Sequence, residues 1–221
     1  SIEGIYDVGN EPDSKEVIDC DGRYILPGAI DVHVHLRDMK QSDKEDFETG
    51  TKAAAAGGIT TVIDMPNSSP PLLNAAILEE KIVRARLSRF VNVGFHAGIP
   101  NDVSKYDSSF ASQVMGFKVY PHSPLDPETE VTKDWVLECA KLAKKFDRPL
   151  LVHPDIPHEE YDLKGIEEYL SRYSCDNEIA AIRMFLQAQS VVDGRLHICH
   201  VSCSGAAKLI SDSRAEERLT A

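Results

Sequence analysis

The sequence predicts an α/β protein built on a parallel sheet, and three observations predict it. Short apolar or β-branched runs recur at residues 29–36, 59–65, 90–96, 114–120, 149–153 and 195–201. Stretches of helical periodicity lie between them, at 44–57, 74–89, 132–146 and 176–192, with a poorer one around 102–112 and a last one at 205–214. The runs are near-continuously apolar rather than alternating, as strands covered on both faces are. Repeated strand–helix units leave two architectures, an open doubly wound sheet or a closed barrel.

Taken in order, the first 28 residues stand apart. Ile5-Tyr-Asp-Val-Gly and the stretch from Lys15 to Gly28 read as short strands and turns without helices. Residues 1–28 are therefore expected to belong to a small β domain, and residues 29–221 to the α/β body. In the helix at 74–89, Asn74 can serve as N-cap, and Glu79, Glu80, Lys81 and Arg84 give helix-spaced charge pairs. In the helix at 176–192, Ile179, Ile182, Phe185 and Leu186 fall on one face. Six strand–helix units are counted where a closed barrel has eight, so the seventh and eighth strands are expected beyond residue 221.

Composition narrows the function classes. The chain has 221 residues, 42% hydrophobic and 27% charged, enough for a sizeable core. Its net charge of −12 repels phosphate backbones and anionic lipid, which argues against nucleic-acid or membrane-surface partners. No apolar run has the length of a membrane span and the N-terminus does not read as a signal peptide, so the expected location is the cytoplasm. The five cysteines, Cys20, Cys139, Cys175, Cys199 and Cys203, are scattered and call for no disulfide framework. Cys199 and Cys203 flank His200 but lack zinc-site spacing, and read as small buried residues.

The chemistry concentrates at strand ends. His33 and His35 are two apart in the first strand, so both imidazoles project from one face. Two imidazoles at the C-terminal end of a parallel strand can bind a divalent metal; the plain alternative is two histidines with separate hydrogen-bond partners. Three later strands each end in another donor: Lys118, His153 and His200. A lysine inside an apolar strand is costly to desolvate, and reads either as a side chain snorkelling to the surface or as an amine neutral enough to add carbon dioxide. His197, three residues before His200, is assigned to the opposite face, against a helix. His96 is left as structural, and His122 and His158 as loop residues.

The segment Pro27-Gly-Ala-Ile-Asp-Val-His-Val-His35, taken with Lys118, His153 and His200, resembles the cyclic amidohydrolases of the amidohydrolase superfamily: dihydroorotases, hydantoinases and allantoinases. The resemblance runs from about Asp19 to Thr220. It implies a (β/α)₈ TIM barrel beside a small β-sandwich. It also implies two zinc ions, with His33 and His35 on one, His153 and His200 on the other, and carboxylated Lys118 between them, sharing a water of lowered pKa. A general acid/base Asp is expected after the eighth strand, beyond Ala221.

Arg37 and Asn67 point to the substrate. A guanidinium suits a carboxylate, and an asparagine amide can add a hydrogen bond to the same group; a surface arginine and a turn residue are the plain readings. Both match the dihydroorotase branch, which interconverts N-carbamoyl-L-aspartate and L-dihydroorotate in de novo pyrimidine biosynthesis. Lys118 itself looks more like hydantoinases, allantoinases and the animal dihydroorotases than like the many bacterial dihydroorotases with Asp there. An allantoinase or hydantoinase is thus the enzyme alternative, and a non-catalytic assembly subunit the alternative of another class. A small-molecule substrate is the partner expected, with a homodimer as the family's habit.

Overall fold

The computed structural model describes residues 3–156, 165–213 and 218–221. Strands β1 (Ala29–Val34), β2 (Ile59–Asp64) and β3 (Asn92–Phe95) form one parallel sheet. Strands β4 (Phe117–Val119), β5 (Leu150–Val152), β6 (Leu196–Ile198) and β7 (Leu219–Thr220) form another. A parallel bridge joins them: Ala97 pairs with Phe117, and the Lys118 amide donates to Ala97 O at 2.8 Å. Strand order therefore follows chain order throughout. A doubly wound sheet has a point where strand order reverses. An unreversed parallel succession is the wall of a barrel, which decides between the two architectures.

The six expected strands are all present, and β7 adds the start of a seventh, pairing Leu219 with Leu196 and Thr220 with His197. Two residues are too few to show a period, so sequence pattern passes over them. Helices α1 (Phe47–Ala56), α2 (Ala75–Ser88), α3 (Lys133–Lys145), α5 (Cys175–Val192) and α6 (Ser204–Ser213) answer the expected stretches. The expected end of the last helix at Arg214 lies outside the described residues. A short α4 (Ile166–Arg172) was not foreshadowed, and the poor stretch at 102–112 forms two 3₁₀ turns instead of a helix. Asp46, Asn74, Thr132 and Ser174 cap α1, α2, α3 and α5 through their side chains. Each such cap is worth about 1 kcal/mol.

The main core lies between strands and helices. Phe117, Val119, Leu150 and Val152 meet Trp135, Val136 and Cys139 of α3 and Ile182 and Phe185 of α5 there. A second, small cluster of Met65, Leu151 and Cys199 is separate from it. It belongs to the opposite, inward face of the strands, as the alternation of Leu151 with Leu150 and Val152 requires. Among the described residues no helix is long and apolar enough to cross a membrane.

Two expectations change. Residues 3–28 form turns but no strand, and Ile5, Val8, Val17 and Tyr24 are exposed. Among the described residues no neighbouring strand pairs with them, and an unpaired ladder holds no strand in place. Their place in a small β domain is therefore a proposal. Cys203 is not a lone buried thiol: it forms a disulfide with Cys175, 28 residues away, while Cys199 is free and buried as expected and Cys139 is free and buried too. The pairing arises because the start of α5 packs beside the loop leading into α6, a contact no sequence spacing displays.

Candidate metal centre

Register places the site. Lys118 pairs with Leu151, Leu151 with His197, and His197 with Thr220, so this row shares one face of the sheet. Its neighbours Phe117 and Val119 lie in the main core, so the Lys118 row faces the barrel interior. Gly116 precedes it on the same face because a Cβ there would come within 2.5 Å of Leu151 and 3.1 Å of the His96 ring. At β1 the ladder slips between Asp31 and Val34. The His33 amide leaves the ladder and donates to Asp31 Oδ1 at 3.0 Å. A bulge of this kind re-aims side chains, here next to both histidines.

The five donors converge. The His33 ring centroid lies 5.4 Å from that of His35 and 5.4 Å from that of His200. His200 and His153 are 4.5 Å apart. Lys118, fully buried, ends 5.0 Å from the Tyr120 ring centroid, and its charge acts on His33, His35, His153 and His200 alike. His200 reaches the cluster although its strand ends at Ile198, because its backbone turns left-handed at φ 35°.

The protein orients this cluster from behind. His35 Nδ1 donates to Asn67 Oδ1 at 2.7 Å, which leaves its Nε2 unprotonated and able to accept or ligate. Asn177 donates to Asp155 at 2.6 Å in the loop after His153, and the Ser202 amide donates to buried Glu178 at 2.9 Å in the loop after His200. Both holds come from the first turn of α5, which the Cys175–Cys203 bond ties to the same loop. A cleft of about 130 Å³ opens beside His153 and His200, walled by Asp155, Tyr173, Glu178 and Ser202.

Burial sets the protonation states. It holds the His33 and His153 imidazoles down to about 3, with Lys118 adding to the effect at His33 and His122 at His153. His35 and His200 are lowered for the same leading reason. All four are neutral at pH 7 and able to ligate. Burial also lowers Lys118, whose Nζ has no hydrogen-bond partner of ordinary geometry. A buried amine that is biased toward its neutral form and held by no carboxylate is what carbamate formation requires.

Arg37 and Asn67 meet at the rim. Arg37 Nη1 donates to the Asn67 backbone oxygen at 3.1 Å, so the two loops they stand on are joined. With Asn67 Oδ1 engaged by His35, the amide NH₂ is the end left to donate outward.

Sequence reading missed three residues here. Tyr120, two beyond Lys118 and on its face, is buried 5.9 Å from the His153 ring. His122 is a loop residue, as expected, but its ring lies 4.5 Å from that of His153. With Asp155 these two histidines form a group whose ligand atoms lie within 4.8 Å of one another, a set able to hold a metal ion. The two-residue step from Lys118 through Tyr120 to His122 was the available signal. His158 lies outside the described residues. His197 is a correction: it faces inward with Lys118, not toward a helix, and bonds Thr220 Oγ1 at 2.8 Å. Parity failed because it was counted from His200, which stands past the end of the regular strand.

His96 is buried at 3% exposure beneath this cluster, its Nε2 donating to Val32 O at 3.1 Å. Desolvation lowers its pKa from 6.5 to about 4. Below pH 6.5 the unfolded chain takes up a proton that folded His96 refuses, so stability is full above that pH and falls as pH drops toward 4. The loss amounts to about 3 kcal/mol across that window. A His96→Asn variant is expected to show a shallower fall in urea-unfolding free energy between pH 6.5 and 4; an unchanged slope would refute this.

Comparison with known proteins bears on the family and the fold. The model of the family described as "Amidohydrolase family" matches residues 24–178. An allantoinase of Arabidopsis thaliana is 36% identical over 224 residues, covering 91% of this chain and 44% of the relative. A dihydroorotase of Pyrococcus furiosus is 35% identical over 198 residues, covering 88% and 42%. Among solved structures, the L-hydantoinase (dihydropyrimidinase) of Arthrobacter aurescens superposes with a TM-score of 0.85 at 24% identity, covering 96% of this chain and 50% of that one. The chain spans less than half the length of these two curated relatives.

Proposed function

We propose that this chain, which belongs to the amidohydrolase family, carries the metal-binding part of a dihydroorotase. The observation that carries the reading is the joining of Arg37 and Asn67 at 3.1 Å on the rim of a cluster of four histidines and one buried lysine. The donor set fits divalent zinc: neutral imidazoles suit the ion, and Lys118 Nζ, unpartnered and fully buried, has the chemistry to become the anionic bridge. His33 and His35 would hold one ion, His153 and His200 a second, and carboxylated Lys118 would lie between them. When bound, two such ions supply a water of lowered pKa and polarise a carbonyl oxygen.

The remaining steps belong to the chain itself. Arg37 pairs with the carboxylate of dihydroorotate or carbamoyl aspartate, and the Asn67 amide donates to the same group, placing the ring's amide over the cluster. Asn67 at the same time fixes the tautomer of His35, so substrate grip and ligand orientation share one residue. A cytoplasmic location goes with this reading, although the Cys175–Cys203 bond is of a kind rare in that compartment.

The test uses full-length protein. It is expected to retain about two zinc per chain, to hydrolyse dihydroorotate and to cyclise carbamoyl aspartate. Faster hydrolysis of allantoin than of dihydroorotate would overturn the substrate assignment in favour of an allantoinase. That second reading draws on the 36% identity to the Arabidopsis thaliana allantoinase. Absence of tightly bound metal would favour a non-catalytic role instead.

A further inference from the structure

Helix α2 reaches the site from behind through two cations three residues apart. Lys81 is fully buried, with Nζ 2.8 Å from Asp64 Oδ2 and 3.1 Å from Ser68 Oγ. The other carboxylate oxygen of Asp64 accepts from the Leu36 amide at 2.8 Å, and Ser68 Oγ donates to Pro70 O at 2.9 Å. One ammonium thus ties the end of β2 to the loop of Arg37 on one side and to the loop of Asn67 on the other. A turn along α2, Arg84 Nη1 lies 3.2 Å from Asp38 Oδ1, and Asp38 Oδ2 accepts from the Phe47 amide at 3.2 Å.

These contacts hold an unusual backbone. Arg37, Asp38 and Met39 are consecutive non-glycine residues at φ 53°, 49° and 57°. Such a run persists only where its surroundings over-determine it. Stability alone does not explain a charge pair in this place, flanked by the Phe47 and Phe95 rings at 5.7 and 5.8 Å from Lys81 Nζ. Well-packed apolar residues commonly replace a buried ion pair without loss. What they cannot do is bond the Leu36 amide and Ser68 at once.

We infer that the Lys81–Asp64 pair, with Arg84–Asp38 beside it, is a positioning brace that presets Arg37 and Asn67 as one grip for the substrate's carboxylate. The inference rests on the carboxylate reading above and adds Lys81 as a positioning residue that touches no substrate.

The test compares full-length Lys81→Met with the parent enzyme, metals in place. KM for dihydroorotate is expected to rise about 10–100-fold, with kcat and metal content changed far less. Amide hydrogen exchange is expected to speed up in residues 36–39 and 66–70 while α3 and α5 keep their protection. Should the single variant not fold, the double variant Asp64→Asn/Lys81→Met leaves no unpaired buried charge and takes the same two measurements. Unchanged KM, or exchange raised evenly throughout the protein, overturns the brace. Failure of the carboxylate reading shows separately, as an Arg37→Ala variant of unchanged KM; the brace is then judged on the exchange rates alone.

Discussion

Replacing Lys118 with alanine in the full-length protein is expected to lower kcat/KM for the cyclic amide by roughly 10³-fold or more, and to strip metal along with activity. Lys118 lies fully buried among four imidazoles, its Nζ without a hydrogen-bond partner of ordinary geometry and with only the Cys199 thiol acting on it nearby. A positive charge in that place would oppose any divalent ion. Burial lowers its pKa, so the neutral amine is more populated at neutral pH than in a free lysine, and rising pH favours it further. A neutral amine adds carbon dioxide by forming an N–C bond and releasing a proton. The product is an anion, and the charge at the centre of the cluster changes sign. Lys118→Arg is the informative control, since it keeps the cation and cannot form the carbamate; it is expected to fail as fully as alanine. Metal analysis and steady-state kinetics on the two variants decide the matter. Full metal content with near-parent activity in Lys118→Ala would sink the bridging role.

Arg37→Ala is expected to raise KM for dihydroorotate by about 100-fold, with zinc content and kcat much less affected. Loss of one charge-assisted pair to a carboxylate is of that order. Arg37 makes its hydrogen bond to the Asn67 backbone, so its removal leaves the His35–Asn67 bond in place and spares the ligands. Asn67→Ala is the contrasting case. Its side chain also orients His35, so metal affinity is expected to fall there and not in Arg37→Ala. Assay of both variants with dihydroorotate, beside metal analysis, separates grip from ligand support. If Arg37→Ala binds dihydroorotate as the parent does, the guanidinium is not the carboxylate anchor.

The Lys81 and His197 positions show where pattern reading ends. Lys81 stands at helix spacing from surface charges, and its neighbour relation Glu80–Arg84 does form along the helix at 3.0 Å. Lys81 itself turns inward to Asp64, a partner 17 positions earlier, because α2 packs across the end of β2. His197 was counted outward from His200, yet that histidine has left the strand geometry that makes counting valid. At Lys81 the deciding contact is long-range, whereas at His197 the two-residue period was counted across a residue that has already left the strand.

By itself the sequence determined the parallel α/β class, the six strands and the donors at their ends, because apolar runs, helical periods and the two-residue strand step are local properties. His33, His35, Lys118, His153 and His200 were named from those strand ends together with the family resemblance, which supplied their expected roles and set His96 aside. Only the tertiary structure decided that strand order never reverses, that Cys175 meets Cys203, and that Tyr120 and His122 stand beside His153. The same holds for the grip of α2 on the loops of Arg37 and Asn67. These depend on which strands lie side by side and which loops fold over them, relations set by packing between segments far apart in the chain.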